Sequence, residues 1–249
     1  MKISDNTILI TGGGSGIGRA LAEQFHKRGN TVIIAGRRRA VLDEVAAANP
    51  GMIAVELDVE RPEAITAFAR KLVVDHPALN VLINNAGMMT PEDVKTGKTD
   101  VAEATITTNL LGPIRLTAAL LPHLLKQPAA TVINTTSGLA FVPLAITPTY
   151  SATKAALRFY TQSLRFQLKD TSVEVIELAP PYVQTHLMGD HQASDPNAMP
   201  LDEYIAETMA NFEQSPTPAE NLVERVKFLS GAERRGDYAQ VFETLNSMF

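Results

Sequence analysis

The sequence predicts an α/β fold: a doubly wound, mostly parallel sheet with helices on both faces and a small lid. Three features predict it. Short β-branched runs alternate with stretches of helical period, a glycine cluster joins the first run to the first helix, and a polar excursion follows the sixth run.

Thr7 to Ile10 is an apolar run of β type, and Gly12-Gly13-Gly14-Ser15-Gly16-Ile17-Gly18 follows it directly. Ile17, Leu21 and Phe25 then recur at four-residue spacing, which marks a helix over 16–28. Strand, glycine turn and helix in that order form the first βα unit of a dinucleotide-binding sheet. Glycine lets backbone approach a pyrophosphate, and the helix start offers unpaired N–H groups to its charge. The spacing is neither G-x-G-x-x-G nor a P-loop; it is T-G-x-x-x-G-I-G. A turn that only connects strand to helix is the plainer reading. Five glycines in seven positions cost too much chain entropy to favour it.

Further strands are read at Thr31 to Ala35, Met52 to Leu57, Val81 to Asn84, Thr131 to Thr136 and Val173 to Leu178. They are apolar on both faces, as buried parallel strands are. Helices are expected near 16–28, 38–48, 62–75, 99–125 and 149–168. Past residue 186 the chain turns polar, giving a lid or insertion over 186–215 that contains an amphipathic helix at 201–213. A loop without fixed structure is the alternative there. Ser215-Pro216-Thr217-Pro218 breaks the chain before a last helix at 219–229, and Tyr238 to Phe242 reads as a short edge strand.

Bulk properties narrow the function. A net charge of −5 disfavours attraction to nucleic acid or to anionic membrane. With no cysteine, thiol catalysis, disulfides and a thiolate zinc site are excluded, and no metal site is expected. Met1-Lys2-Ile3-Ser4 leads straight into the first strand, and no apolar run reaches transmembrane length, so the expectation is a cytoplasmic protein.

Strand two ends Ala35-Gly36-Arg37-Arg38-Arg39, where an NAD site would place a carboxylate for the ribose 2′-OH. Arginine instead pairs with a 2′-phosphate, which favours NADP(H) over NAD(H), with Arg37 the main contact and Arg38 a second. A solvated basic cluster is the competing reading.

Tyr150 and Lys154 share a helix face at i and i+4, so an ammonium can sit beside a phenol and lower its pKa from about 10. Alone the pair is weak. Ser137 closes the fifth strand, either to bond a substrate oxygen or only its own turn. Asn84-Asn85-Ala86-Gly87 closes the fourth, either to admit a ribose or to cap a turn. Asn109 is poorly placed in a long helix by propensity and has no role by pattern alone.

Together these residues resemble the short-chain dehydrogenase/reductase family from Thr7 to about Thr185. The match runs through Thr11-Gly12-x-x-x-Gly16-Ile17-Gly18, Asp58-Val59, Asn84-Asn85-Ala86-Gly87, Asn109, Ser137 and Tyr150-x-x-x-Lys154. Ser137-Gly138-Leu139-Ala140-Phe141 and Glu177-Leu178-Ala179-Pro180-Pro181 are similar to a branch of bacterial oxidoreductases named for the D-alanylation (dlt) operon. The resemblance implies a single Rossmann-fold domain over 1–249, about seven strands in the order 3-2-1-4-5-6-7, and hydride transfer between NAD(P)(H) and a carbonyl or alcohol. By family role Tyr150 is the acid/base, Ser137 holds the carbonyl oxygen, and Lys154 lowers the tyrosine pKa and binds the nicotinamide ribose. Asn109 anchors a relay water. The turn residues Gly12, Ser15, Gly16, Ile17 and Gly18 hold the pyrophosphate, and Asp58 and Val59 meet the adenine. Pro180, Val183 and Thr185 carry nicotinamide contacts, although a second proline at Pro181 replaces the family's glycine. The C-terminal ending of the family is shortened, so the expected assembly is a homodimer through helices 99–125 and 149–168.

Met88, Met89, Phe141, Val142, Pro143, Leu144, Ile146, Tyr182, Leu187 and Met188 suggest an apolar substrate pocket for ketones or aldehydes. Rival functions are an NAD-dependent sugar or polyol dehydrogenase, a non-catalytic NADP(H)-binding redox sensor and, against the charge balance, a nucleic-acid binder.

Overall fold

Seven strands lie in one sheet, ordered β3-β2-β1-β4-β5-β6-β7, in a computed structural model that describes residues 1–248. They are β1 (Thr7–Thr11), β2 (Thr31–Gly36), β3 (Ile53–Glu56), β4 (Leu79–Asn84), β5 (Ala130–Thr135), β6 (Val173–Leu178) and β7 (Glu220–Asn221). Every pairing is parallel, so each β-α-β connection must cross over the sheet. The strand order reverses beside β1, where β4 pairs with its other edge. That reversal opens a crevice at the carboxyl ends of β1 and β4.

The two faces of the sheet are separately packed. Ile8, Ile10, Ile34 and Ile83 point to one core with Leu21 and Phe25 of α1 (Gly16–Lys27). Leu9, Ile33 and Leu82 point to the other, with Leu116 and Leu120 of α5 (Gly112–Leu124). The strands are therefore buried on both faces, which is why they read as unbroken apolar runs. Helices α2 (Arg39–Ala48) and α3 (Pro62–Asp75) agree with the sequence reading, as does α6 (Pro148–Gln167).

Three elements differ from it. The expected helix over 99–125 is α4 (Asp100–Ile106), a π turn (Thr107–Leu111) and then α5. Gly112 sits at the junction because a Cβ there would lie 3.1 Å from the Cβ and the carbonyl oxygen of Val59. The expected helix at 219–229 is strand β7, a 3-10 turn (Glu224–Val226) and the short α9 (Lys227–Ser230). Backbone demand at the sheet edge wins over helical period there: Glu177 N donates to Ala219 O at 2.9 Å and Ala179 N to Asn221 O at 3.3 Å. With the edge taken, Tyr238 to Phe242 is no strand; it opens α11 (Tyr238–Asn246), after α10 (Ala232–Arg235). Val241 and Leu245, at i and i+4, pack this helix beside Val142.

The segment after β6 holds α7 (Asp190–Ala193) and α8 (Leu201–Phe212). Tyr204, Met209 and Phe212 of α8 are buried in the first core, and the rings of Phe212 and Phe25 lie 5.8 Å apart. The C-terminal half of the expected lid is thus a fixed wall. Among the described residues no helix is long and apolar enough to cross a membrane.

Candidate active site

The turn after β1 is built for close approach. Gly12 has φ +70° and its missing Cβ would lie 3.0 Å from Ala86 Cα. A Cβ on Gly18 would fall 2.3 Å from Gly12 O. Gly18 therefore closes α1 onto its own turn and, unlike Gly16 and Ile17, does not line the cleft. Thr11 Oγ1 ties this turn to the end of β4, accepting from Asn85 N and Ala86 N at 3.0 Å each. Asn85 Nδ2 returns a bond to Thr11 O at 3.1 Å.

Above the turn lies a cleft of about 660 Å³. It brings together Gly12, Ser15, Gly16, Ile17, Arg37, Arg38, Val59, Asn85, Ala86, Gly87, Ser137, Tyr150, Lys154, Pro180, Val183 and Thr185, all expected site residues. Besides Gly18, two others stand outside it. Asp58 spends Oδ1 on the N–H of Glu60 at 3.0 Å, shaping the turn after β3, and Leu57 takes the lining position beside Val59. Asn109 is buried behind the wall in the π turn, its Oδ1 accepting from Met88 N at 2.9 Å and its Nδ2 donating to Met88 O at 2.8 Å. The side-chain amide thus holds backbone. Asn84 is likewise structural, donating to Asn134 Oδ1 at 2.8 Å and Thr117 Oγ1 at 3.0 Å between strands.

Tyr150 and Lys154 ride on the first two turns of α6. Pro148 lies in that helix's first turn, where its missing N–H costs nothing. Thr147 offers no side-chain cap; Glu92, from the loop after β4, supplies one by accepting from Thr149 N at 3.0 Å and Thr149 Oγ1 at 2.8 Å. Lys154 Nζ donates to Thr135 O at 2.8 Å and stands 5.6 Å from the Tyr150 ring centroid. Ser137 and Tyr150 both present their side chains to the cleft, close enough for Ser137 to act on the phenol's titration, and Ser137 Oγ accepts from Leu139 N at 3.1 Å.

Burial dominates the electrostatics. It pushes Tyr150 up to about 12, with the Ser137 bond only partly opposing, and pushes Lys154 down to about 8. The tyrosine shift is opposite to the one expected from a lysine neighbour. The ammonium is bound to strand backbone and both groups are desolvated, so the phenol here is a firmly protonated acid.

The apolar residues expected around a substrate divide. Met88 and Leu187 line the cleft. Met89 and Leu144 are buried against Tyr150, with Leu139, Ile146, Met188 and Leu245 packed on them. Val142 is core, beside Ala232 and Val241, and the Phe141 ring carries the Arg158 guanidinium 4.1 Å from its centroid. Tyr182 bonds Asp195 at 3.1 Å.

Other residues around the site had no motif to announce them. Buried Gln192 donates to Val183 O at 2.8 Å and accepts from Met188 N at 2.9 Å, fastening the segment over the cleft. Glu177, fully buried, accepts from Thr136 Oγ1 at 2.7 Å and pairs with Arg158, while burial raises its pKa. Asn246 of α11 donates to Pro143 O at 3.2 Å, pinning the loop that precedes α6. Only the glutamate two residues past an alternating strand pattern, Val173-Glu174-Val175-Ile176-Glu177, carried a signal: a charge inside an apolar run.

The cleft fits a dinucleotide. Gly16 at φ +51° opens the turn, Ser15 precedes a twelve-residue helix with no acidic residue in its first turn, and the Ser15 side chain makes no cap bond. Residues 6–196 match the family model described as short chain dehydrogenase. An uncharacterized oxidoreductase DltE of Bacillus subtilis is 42% identical over 255 residues, 99% of each chain. A short-chain dehydrogenase from Streptomyces avermitilis superposes with TM-score 0.84 at 26% identity, over 98% of this chain and 97% of that one. One from Sphingobium yanoikuyae, in complex with NADPH, gives 0.81 at 27% identity, over 98% and 96%. The order of the seven strands, the glycine turn and these likenesses agree, and this chain belongs to the short-chain dehydrogenase/reductase family of oxidoreductases.

Proposed function

We propose that the chain transfers a hydride between NADP(H) and a carbonyl or alcohol, acting as a reductase of apolar ketones or aldehydes. The observation that carries this reading is the hydroxyl pair of Ser137 and Tyr150, brought together at the cleft beside a buried Lys154. When bound, the coenzyme supplies the hydride. Every other task falls to the chain. Ser137 holds the substrate oxygen, and Tyr150, protonated at neutral pH, donates its proton as the alkoxide develops. Lys154 is fixed by Thr135 O at the position where a ribose would meet it, and Asn109 holds Met88 backbone at the rim. Gly12, Ser15, Gly16 and Ile17 receive the pyrophosphate, and Pro180, Val183 and Thr185 bound the nicotinamide end.

NADP(H) is favoured because Arg37 and Arg38 line the adenosine end and strand two ends without a carboxylate. The NADPH and NADP+ complexes of relatives, a serine dehydrogenase among them, support the same preference. Met88, Met188 and Leu245 around the phenol support an apolar substrate. Residues 186–215 act as the lid of a single Rossmann domain, with movement confined to the part before α8. Phe159 and Phe166 are exposed on α6, which supports a homodimer through 99–125 and 149–168.

Screening linear and cyclic ketones and aldehydes for NADPH consumption tests the reading. Turnover of several apolar carbonyls is expected; none turned over by protein that binds NADPH would favour the sensor instead.

A further inference from the structure

The Arg37 guanidinium, offered above to a 2′-phosphate, already has an anionic partner. Its Nη1 lies 2.9 Å from Glu60 Oε1. The same oxygen accepts from Thr108 Oγ1 at 2.9 Å, and the Glu60 N–H is held by Asp58 Oδ1 at 3.0 Å. The carboxylate is therefore held by Thr108 as well as by Arg37, on a backbone that Asp58 fixes. Its side chain is 31% exposed and that of Arg37 60%, so the pair stands at the mouth of the cleft. The neighbouring cations are differently placed: Arg39 is paired with Asp43 and Arg61 with Glu63, while Arg38 lines the cleft.

We propose that Glu60 is a specificity-determining residue, an internal counter-ion that restrains Arg37 and weakens the preference for a 2′-phosphorylated coenzyme. This rests on the NADP(H) reading. A 2′-phosphate must draw the guanidinium from a carboxylate that Thr108 holds beside it, and it meets that carboxylate's repulsion as well. A coenzyme with a free 2′-OH leaves the pair intact. The pair also reaches the far side of the cleft: Thr108 adjoins Asn109 in the π turn that holds Met88.

The test is fluorescence titration of NADPH and NADH against wild type, Glu60→Gln, Arg37→Met and the double variant. Glu60→Gln keeps an acceptor for Thr108. It is expected to tighten NADPH about fivefold, the size of an exposed ion pair, and to leave NADH within about twofold. On the Arg37→Met background the gain disappears, and 0.5 M NaCl reduces it. An unchanged NADPH-to-NADH ratio in Glu60→Gln, or an equal effect in both backgrounds, overturns the inference while the cofactor reading stands. Wild-type protein that binds neither coenzyme overturns both.

Discussion

The side-chain amide of Asn109 closes a two-bond ring on the backbone of Met88, accepting from its N–H at 2.9 Å and donating to its C=O at 2.8 Å. The clasp fixes the strand-end loop that forms one wall of the cleft, from inside a π turn that only an interrupted helix supplies. Asn109→Leu leaves both backbone groups without partners and is expected to cost about 2–4 kcal/mol in urea unfolding. Asn109→Asp keeps the acceptor and should fall between. Equal stability of wild type and Asn109→Leu would show that the clasp contributes nothing.

Glu177 is tied to the strand end that carries Ser137. Its carboxylate accepts from Thr136 Oγ1 and pairs with Arg158, which also reaches Glu220 Oε1 at 3.1 Å. Arg158→Met strands a buried carboxylate and should destabilise by about 3 kcal/mol. Adding Glu177→Gln removes the stranded charge and recovers part of that loss. Calorimetry of the two variants checks the order; a double variant weaker than the single one contradicts it.

The pH dependence of stability follows from burial of the lysine. The Lys154 pKa falls from 10.5 to about 8 on folding. A depressed folded-state pKa gives stability that is present above the unfolded value and lost as pH falls through the folded one. Tyr150 is shifted the other way, from 10.0 to about 12, so its contribution is intact up to pH 10. The Tm of ligand-free wild type minus that of Lys154→Met should therefore rise from pH 7 to pH 10. A flat difference would mean that the ammonium is not desolvated.

The fold was legible because buried parallel strands must be apolar on both faces and because a glycine turn has few other uses. The six strands read between Thr7 and Leu178 are present, and most site residues share one cleft. The errors have a common source in long-range contact. Leu222 and Val226 imitate a helix, yet residues near them complete the sheet edge through Ala219 O and Asn221 O. Tyr238 to Phe242 resembles a strand, yet its apolar residues pack on Val142, far away in sequence. The glycine pattern gives no sign of the Gly12 carbonyl that leaves no room for a Cβ on Gly18. Likewise the i, i+4 spacing of Tyr150 and Lys154 could not reveal that Thr135 O holds the ammonium and that burial raises the phenol's pKa.

On this reading the Tyr150 hydroxyl, beside Ser137 in the cleft, is the proton donor of a carbonyl reduction. Steady-state NADPH consumption with an accepted ketone, compared between wild type and Tyr150→Phe, tests it most directly. Loss of kcat by about 10²- to 10⁴-fold, with the NADPH Kd unchanged, is the result predicted. A phenylalanine variant that turns over at the wild-type rate would contradict it.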